Sequence, residues 1–147
     1  MTRIAIDAMG GDHAPAEIVA GAVWAAQEYG VAIDLVGKED EIRAELDKIA
    51  KVGGIYSDCG KKGRQIKIKI NLDKIDYTIT HASEVIEMGE AVGQAIRKKK
   101  DSSIVQAVKS VAEGRSDGIV AAGSTGAAMA SSLFGLGRIK GITRPAI

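Results

Sequence analysis

Two short stretches of the chain carry residues suited to holding an anion. One is Asp7-Ala8-Met9-Gly10-Gly11-Asp12-His13-Ala14-Pro15, and the other is Gly123-Ser124-Thr125-Gly126. Glycine lets a backbone come close to a bound anion. A helix opening just after it aims free N–H groups and its positive end at the charge. Ser124 and Thr125 add hydroxyl donors, and a phosphate fits this chemistry. Neither stretch is a P-loop, because the G-x-x-x-x-G-K-[ST] spacing is absent. No G-x-G-x-x-G follows the first strand, so the dinucleotide fingerprint is also missing. The plain alternative is that each glycine only lets a strand turn into a helix. Two such loops at one sheet edge tilt the balance toward a ligand.

The first loop also holds Asp7, Asp12 and His13. His13 has the chemistry of a proton shuttle or of a cationic phosphate partner. Asp12 would repel a bare anion, and reads as a helix N-cap as readily as a catalytic group. Arg97-Lys98-Lys99-Lys100 is a basic run leading into Asp101-Ser102-Ser103. It reads either as a solvated helix end matched to the helix dipole or as a docking site for an acidic partner. Glu84, Glu87 and Glu90 recur every third residue near His81. Such spacing is the pattern of a solvated stripe, and the Cys/His spacing of a zinc site is absent, so no metal is expected. Cys59 has no basic helper nearby, which argues against a nucleophile.

Strands and helices alternate around these loops. Residues 3–8 form a short apolar run, read as a buried strand. Pro15 suits a first helical turn. Ile18, Val19, Ala22, Val23 and Ala26 then share one helical face up to Tyr29, and Gly30 closes the helix. Residues 32–36 read as a strand and 38–50 as a helix, with Ile42, Leu46 and Ile49 inward. Residues 53–63 are glycine- and lysine-rich and read as a surface loop. Residues 65–70 alternate Ile and Lys, the period of a half-buried strand. Residues 77–80 form another strand.

Residues 85–99 read as helical in part, weakened by Gly89 and Gly93. Residues 103–113 form a helix with Ile104, Val105, Val108, Val111 and Ala112 on one face. Ser103 and Gln106 there have capping-box spacing. A strand over 118–122, a helix over 127–136 and a loop-like tail follow. This order predicts an α/β fold with a mostly parallel sheet and flanking helices. Ligands are then expected beyond the C-terminal ends of the strands. There are no internal repeats and no linker.

Composition narrows the choice of function. The 147 residues are one domain's worth of chain. The 20 Lys+Arg nearly cancel the 19 Asp+Glu, which argues against a general nucleic-acid binder. Hydrophobic residues at 46% and charged ones at 27% suit a folded domain. Glycine supplies 18 of 147 positions, against a usual share of about 7%. The aromatics are Trp24, Tyr29, Tyr56, Tyr77 and Phe134, so the core must be built of small and branched aliphatics. A single cysteine excludes an internal disulfide and suits a reducing compartment. Nothing at the N-terminus reads as a signal peptide, and no apolar run reaches the roughly 18 residues of a membrane span.

Taken together, several motifs resemble those of the bacterial phosphate acyltransferases of phospholipid synthesis. The opening from Ile6 to Pro15 looks like that family's start. Ser83-Glu84-Val85-Ile86-Glu87-Met88 and the stretch from Ala95 to Ile104 are similar too. So are Gly123-Ser124-Thr125-Gly126-Ala127 and the ending from Gly137 to Ile147. Five motifs in the family's order are far more specific than any one of them.

The resemblance implies transfer of a long-chain acyl group from acyl carrier protein to inorganic phosphate, giving an acyl phosphate. It implies a fold like those of isocitrate and isopropylmalate dehydrogenases, without nicotinamide. No cofactor is implied, because phosphate is itself the nucleophile. Phosphate and substrate would meet Gly10, Gly11, Ser102, Ser103, Gly123, Ser124, Thr125 and Gly126. His13 and Asp7 would be the catalytic side chains, and Arg97, Lys98, Lys99 and Lys100 would dock the carrier protein. A homodimer in the cytoplasm, with peripheral membrane contact through a region downstream, is also implied.

Two departures stand out. Family members usually carry Asn where this chain has Ser124, and often Ser where it has Ala121. They also run well beyond residue 147, so the chain is expected to be an N-terminal portion. The competing readings are a phosphotransacetylase-like transfer with coenzyme A thioesters and a non-catalytic phosphate-binding α/β module.

Overall fold

The computed structural model describes residues 1–57 and 66–144. Cys59, most of the expected loop at 53–63, Gln65 and the end of the tail lie outside the described residues.

A four-stranded parallel sheet forms the centre. Its strands are β1 (Arg3–Asp7), β2 (Ala32–Gly37), β5 (Tyr77–His81) and β6 (Gly118–Val120). Their order is β5-β2-β1-β6. The α/β expectation therefore holds. Helices α1 (Ala16–Tyr29) and α2 (Glu39–Val52) cover one face. On α1 the buried residues are Val19, Ala22, Val23 and Ala26, and on α2 they are Ile42, Leu46 and Ile49. These are residues that their 3.6-residue spacing puts on one side of each helix. They meet Ile6, Ile33 and Leu35 of the sheet in the main core.

The other face is covered by α4 (Ser103–Ala112), flanked by α3 (Val92–Lys98) and α5 (Thr125–Gly135). Ala5 and Val36 of the sheet pack with Ala82 and Ala107. These small side chains let α4 lie close to the strands. The expected inward face of α4 needs adjustment. Ile104 and Val108 are buried, but so are Ser103, Ala107 and Ser110, whereas Ala112 is exposed. The polar serines are inside because they meet carboxylates described below.

The glycine-rich region does not begin as a loop. Gly54–Ser57 is a strand, β3, antiparallel to β4 (Ile66–Lys69). Four residues show no periodicity, yet ladder pairing and burial of Ile55 hold them extended. β4 lies outside the parallel sheet. Its alternation buries Ile70 but leaves Ile66 exposed, so the strand is less covered than period two suggests.

Between β5 and α3 the chain is mostly irregular, with Gly89 at φ 89° breaking any continuous helix. Lys99 Nζ bonds the Val85 carbonyl at 2.7 Å and pairs with Glu90, and Glu90 accepts from the Glu87 N–H. The Ser103–Gln106 capping box is not formed. Ser102 takes the N-cap position, and Gln106 donates to Asp101 and to the Lys100 carbonyl instead. Among the described residues no helix is long and apolar enough to cross a membrane.

Candidate functional site

β1 leads through α1 to β2 on one side, while the chain reaches β6 on its other side only by crossing back from β5, so the strand order reverses beside β1. Crevices open beyond the carboxyl ends of strands at such a switch point. Both glycine loops stand there, because Ile6 pairs with Val120 in register. They touch backbone to backbone. A methyl group on Gly123 would come within 2.9 Å of Gly10 Cα and 3.3 Å of Gly11 N. A methyl on Gly10 would come within 2.6 Å of Asp7 Oδ2. A Cβ at either position would force the facing loop or the Asp7 carboxylate to move. The approach is therefore what those glycines are for, beyond letting the chain turn.

Three helices start around this crossing. α1 follows the first loop, with Pro15 as its N-cap residue; Asp12 is exposed and does not cap it. α5 is capped by Ser124, whose Oγ accepts from the Ala127 N–H at 3.3 Å. That cap starts the helix at Thr125, ahead of the expected residue 127. α4 begins at Ser103, whose hydroxyl bonds the Asp7 carboxylate. Its neighbour Ser102 is 0% exposed, and its Oγ has no hydrogen-bond partner among the described residues. A buried polar atom left so needs an explanation, and a ligand or an ordered water is the usual one.

Asp7 is 5% exposed. Burial pushes its carboxyl above the ordinary value, while the Ser103 hydroxyl and the Met9 and Gly10 N–H groups only partly offset this. A carboxyl raised by folding holds its proton more tightly in the folded chain. Its contribution to stability is full in acid and is lost as the pH rises through its folded value. Asp7→Asn keeps an acceptor and removes the charge. It is expected to raise thermal stability near neutral pH and to converge on the parent chain as the pH falls toward 3.8. Melting curves across that range check this. A variant less stable at neutral pH would mean that the loop needs the full charge.

The other expected site residues are spread more widely. Gly11 lies in the first loop, Gly126 is the second residue of α5, and Thr125 is exposed at the first turn of that helix. His13 is exposed, and its side chain makes no hydrogen bond or ion pair among the described residues. Arg97, Lys98 and Lys100 are exposed, whereas Lys99 is half-buried and folded inward. The start of α3 reaches the second loop, with Val92 beside Gly126. The basic residues stand at its far end, about 8 Å along the axis.

Sequence reasoning missed the residues that brace this edge. Asp101 accepts from the Ser83 N–H and hydroxyl, which hold its carboxyl below the ordinary value. The Asp-Ser-Ser run before an apolar helix was the available signal. Asp34 had no such signal. It is 2% exposed and accepts from Thr78, Thr80 and Ser110 beneath α4.

Fold and site define an open parallel α/β protein with two glycine loops crossing at its switch point. The chain belongs to the fatty acid synthesis protein family, which it matches over residues 2–54 and 60–147. It is 51% identical over 145 residues to a phosphate acyltransferase of Pelotomaculum thermopropionicum, covering 99% of this chain and 36% of that protein. To a phosphate acyltransferase of Desulforamulus reducens it is 52% identical over 147 residues, covering 100% and 38%. To one of Geobacter sulfurreducens it is 45% identical over 145 residues, covering 99% and 36%. The chain thus spans little more than a third of the length of these curated relatives.

Proposed function

We propose that this chain carries the phosphate cradle of an acyltransferase. The enzyme would move a long-chain acyl group from acyl carrier protein to inorganic phosphate, forming an acyl phosphate for phospholipid synthesis. The contact of Gly10 with Gly123 carries this reading. It brings the backbones of both loops together where three helices begin, and the positive helix ends favour an anion there. The names of the relatives supply the reaction class.

In this reading, phosphate rests on the N–H groups of the loops at Gly10–Gly11 and Gly123–Gly126, with hydroxyls from Ser124 and Thr125. Ser124 keeps its proton free to donate, since its oxygen accepts in the helix cap. Ser102 closes the α4 side. One phosphate oxygen attacks the thioester carbonyl, forming a C–O bond, and the C–S bond breaks. The proton of the attacking phosphate ends on the departing thiol, with His13 as the exposed relay. The oxyanion formed on the way is met by N–H donors already in place. Asp7 acts from beneath, holding the first loop to α4.

Arg97, Lys98 and Lys100 form the face that steers the acidic carrier, with Lys99 bracing the segment behind them. A homodimer in the cytoplasm, peripheral contact with the membrane and kinship with the isocitrate and isopropylmalate dehydrogenases belong to the same reading.

The test has two arms. Calorimetry measures phosphate binding in the parent chain, in Thr125→Ala and in Ser124→Asn. The asparagine variant keeps a helix cap and tests whether an amide serves the loop. Thr125→Ala is expected to weaken phosphate about tenfold or more, the size of one charge-assisted hydrogen bond. Thiol release is then followed from long-chain acyl carrier protein and from acyl coenzyme A, with and without phosphate. Release that requires phosphate and prefers the carrier protein is expected. Release indifferent to phosphate, or phosphate binding untouched by Thr125→Ala, would overturn the assignment.

A further inference from the structure

An apolar groove leaves the crossing of the loops along α5. Its volume is about 640 Å³, and its wall includes Ala128, Met129, Leu133, Leu136, Ile139 and Ile142. Its first residue is Thr125, the same residue that ends the second glycine loop. We infer that this groove takes the hydrocarbon chain of the acyl donor, with the carbonyl end at Thr125. The inference rests on the acyl-transfer reading above.

Three observations support that occupant over a bare surface. First, continuity: an acyl group attacked at the loops must send its chain away from them, and α5 rises about 16 Å over its 11 residues. Second, character: the volume and the mostly apolar wall with a few hydroxyls are those of a small-molecule site. The neighbouring cleft between α1 and β6 holds only about 200 Å³, and Asp7 and Glu17 line it. That is below the roughly 300 Å³ at which small-molecule sites begin.

Third, the outer wall is built rather than trailing. Gly137 and Gly141, at φ 79° and 91°, reverse the chain after α5. Arg138 bonds the Thr143 carbonyl at 3.1 Å, and the Ile142 N–H bonds the Ile139 carbonyl at 3.0 Å. This turn sets Ile139 and Ile142 along the groove, yet leaves them 80% and 52% exposed. Apolar side chains held in water by a closed turn gain from any apolar occupant.

The probe is cis-parinaric acid, an 18-carbon fluorescent fatty acid, titrated into the chain. Ser132→Phe and Met129→Phe narrow the groove, and neither residue belongs to the phosphate cradle. Each is expected to raise the dissociation constant of the probe at least tenfold while leaving phosphate affinity within twofold. Far-UV circular dichroism checks that each variant folds, and Met129→Phe is the milder change should Ser132→Phe fail. No probe binding, or binding that both folded variants leave unchanged, overturns the inference. So does a dimer that Ser132→Phe dissociates without probe binding, which would give the groove to a second copy. If the probe is blocked by the variants but phosphate does not bind, the groove stands as an apolar-chain site and the phosphate reading fails.

Discussion

Gly123→Ala is expected to be among the most damaging single-methyl changes in this chain. The new carbon would sit 2.9 Å from Gly10 Cα and 3.3 Å from the Gly10 carbonyl carbon. Both are backbone atoms, so no rotamer change relieves the contact. The two loops must separate, at the cost of the overpacking usual in a close-packed interior, about 1–3 kcal/mol. Separation also displaces the N–H groups of the proposed cradle, and phosphate affinity is expected to fall at least tenfold.

Gly126→Ala is the control. Its methyl would meet Val92 Cγ2 at 3.2 Å, a side-chain atom able to yield, and alanine is the better helix former by up to about 1 kcal/mol. Its stability is expected to stay close to that of the parent chain. Urea denaturation and phosphate calorimetry on both variants decide the matter. A Gly123→Ala chain with parental stability and parental phosphate affinity would show that the loops do not need to touch.

Asp34→Ala is the second large effect, and it lies away from the loops. The carboxylate is buried in the middle of β2 and accepts from Thr78 at 3.0 Å, Thr80 at 2.8 Å and Ser110 at 3.1 Å. Ser110 in turn bonds Ser116, so the network joins β2, β5 and α4 to the turn before β6. Arg115 adds little, because it stands 3.7 Å away and is 43% exposed.

Removing the acceptor strands the Ser110 hydroxyl, which is buried, and takes a partner from half-buried Thr80, while exposed Thr78 can turn to water. The expected loss is about 3 kcal/mol, one or two charge-assisted hydrogen bonds net. That is a large part of the stability of a small domain. Asp34→Asn keeps one acceptor and offers an amide donor to the same hydroxyls, so it is expected to lose less than half as much. Equal losses for the two variants would mean that the charge, and not the hydrogen-bond count, holds α4 down.

The helices α1 and α2 were legible because their burial follows a single period. Val19, Ala22, Val23 and Ala26, or Ile42, Leu46 and Ile49, lie on one side of any helix built from them. The apolar runs of β1 and β2 were legible for the same reason, as was the alternation that implies a parallel sheet. The segment from 84 to 91 and the short strand Gly54–Ser57 were not. Their conformations depend on partners distant in sequence, namely Lys99 and β4. α4 was legible as a helix but not in what it buries, since Ser103 and Ser110 are inside only because Asp7 and Asp34 await them.

By itself, then, the sequence determined the local chemistry: which residues turn, which lie on an apolar face, and that two glycine loops follow strands. Tertiary structure alone decided that the loops meet, because contact requires β6 to pair with β1 rather than with β5. It also decided that Asp7 lies under them without water. Strand order and burial arise from contacts far apart along the chain, and a local pattern carries no record of them.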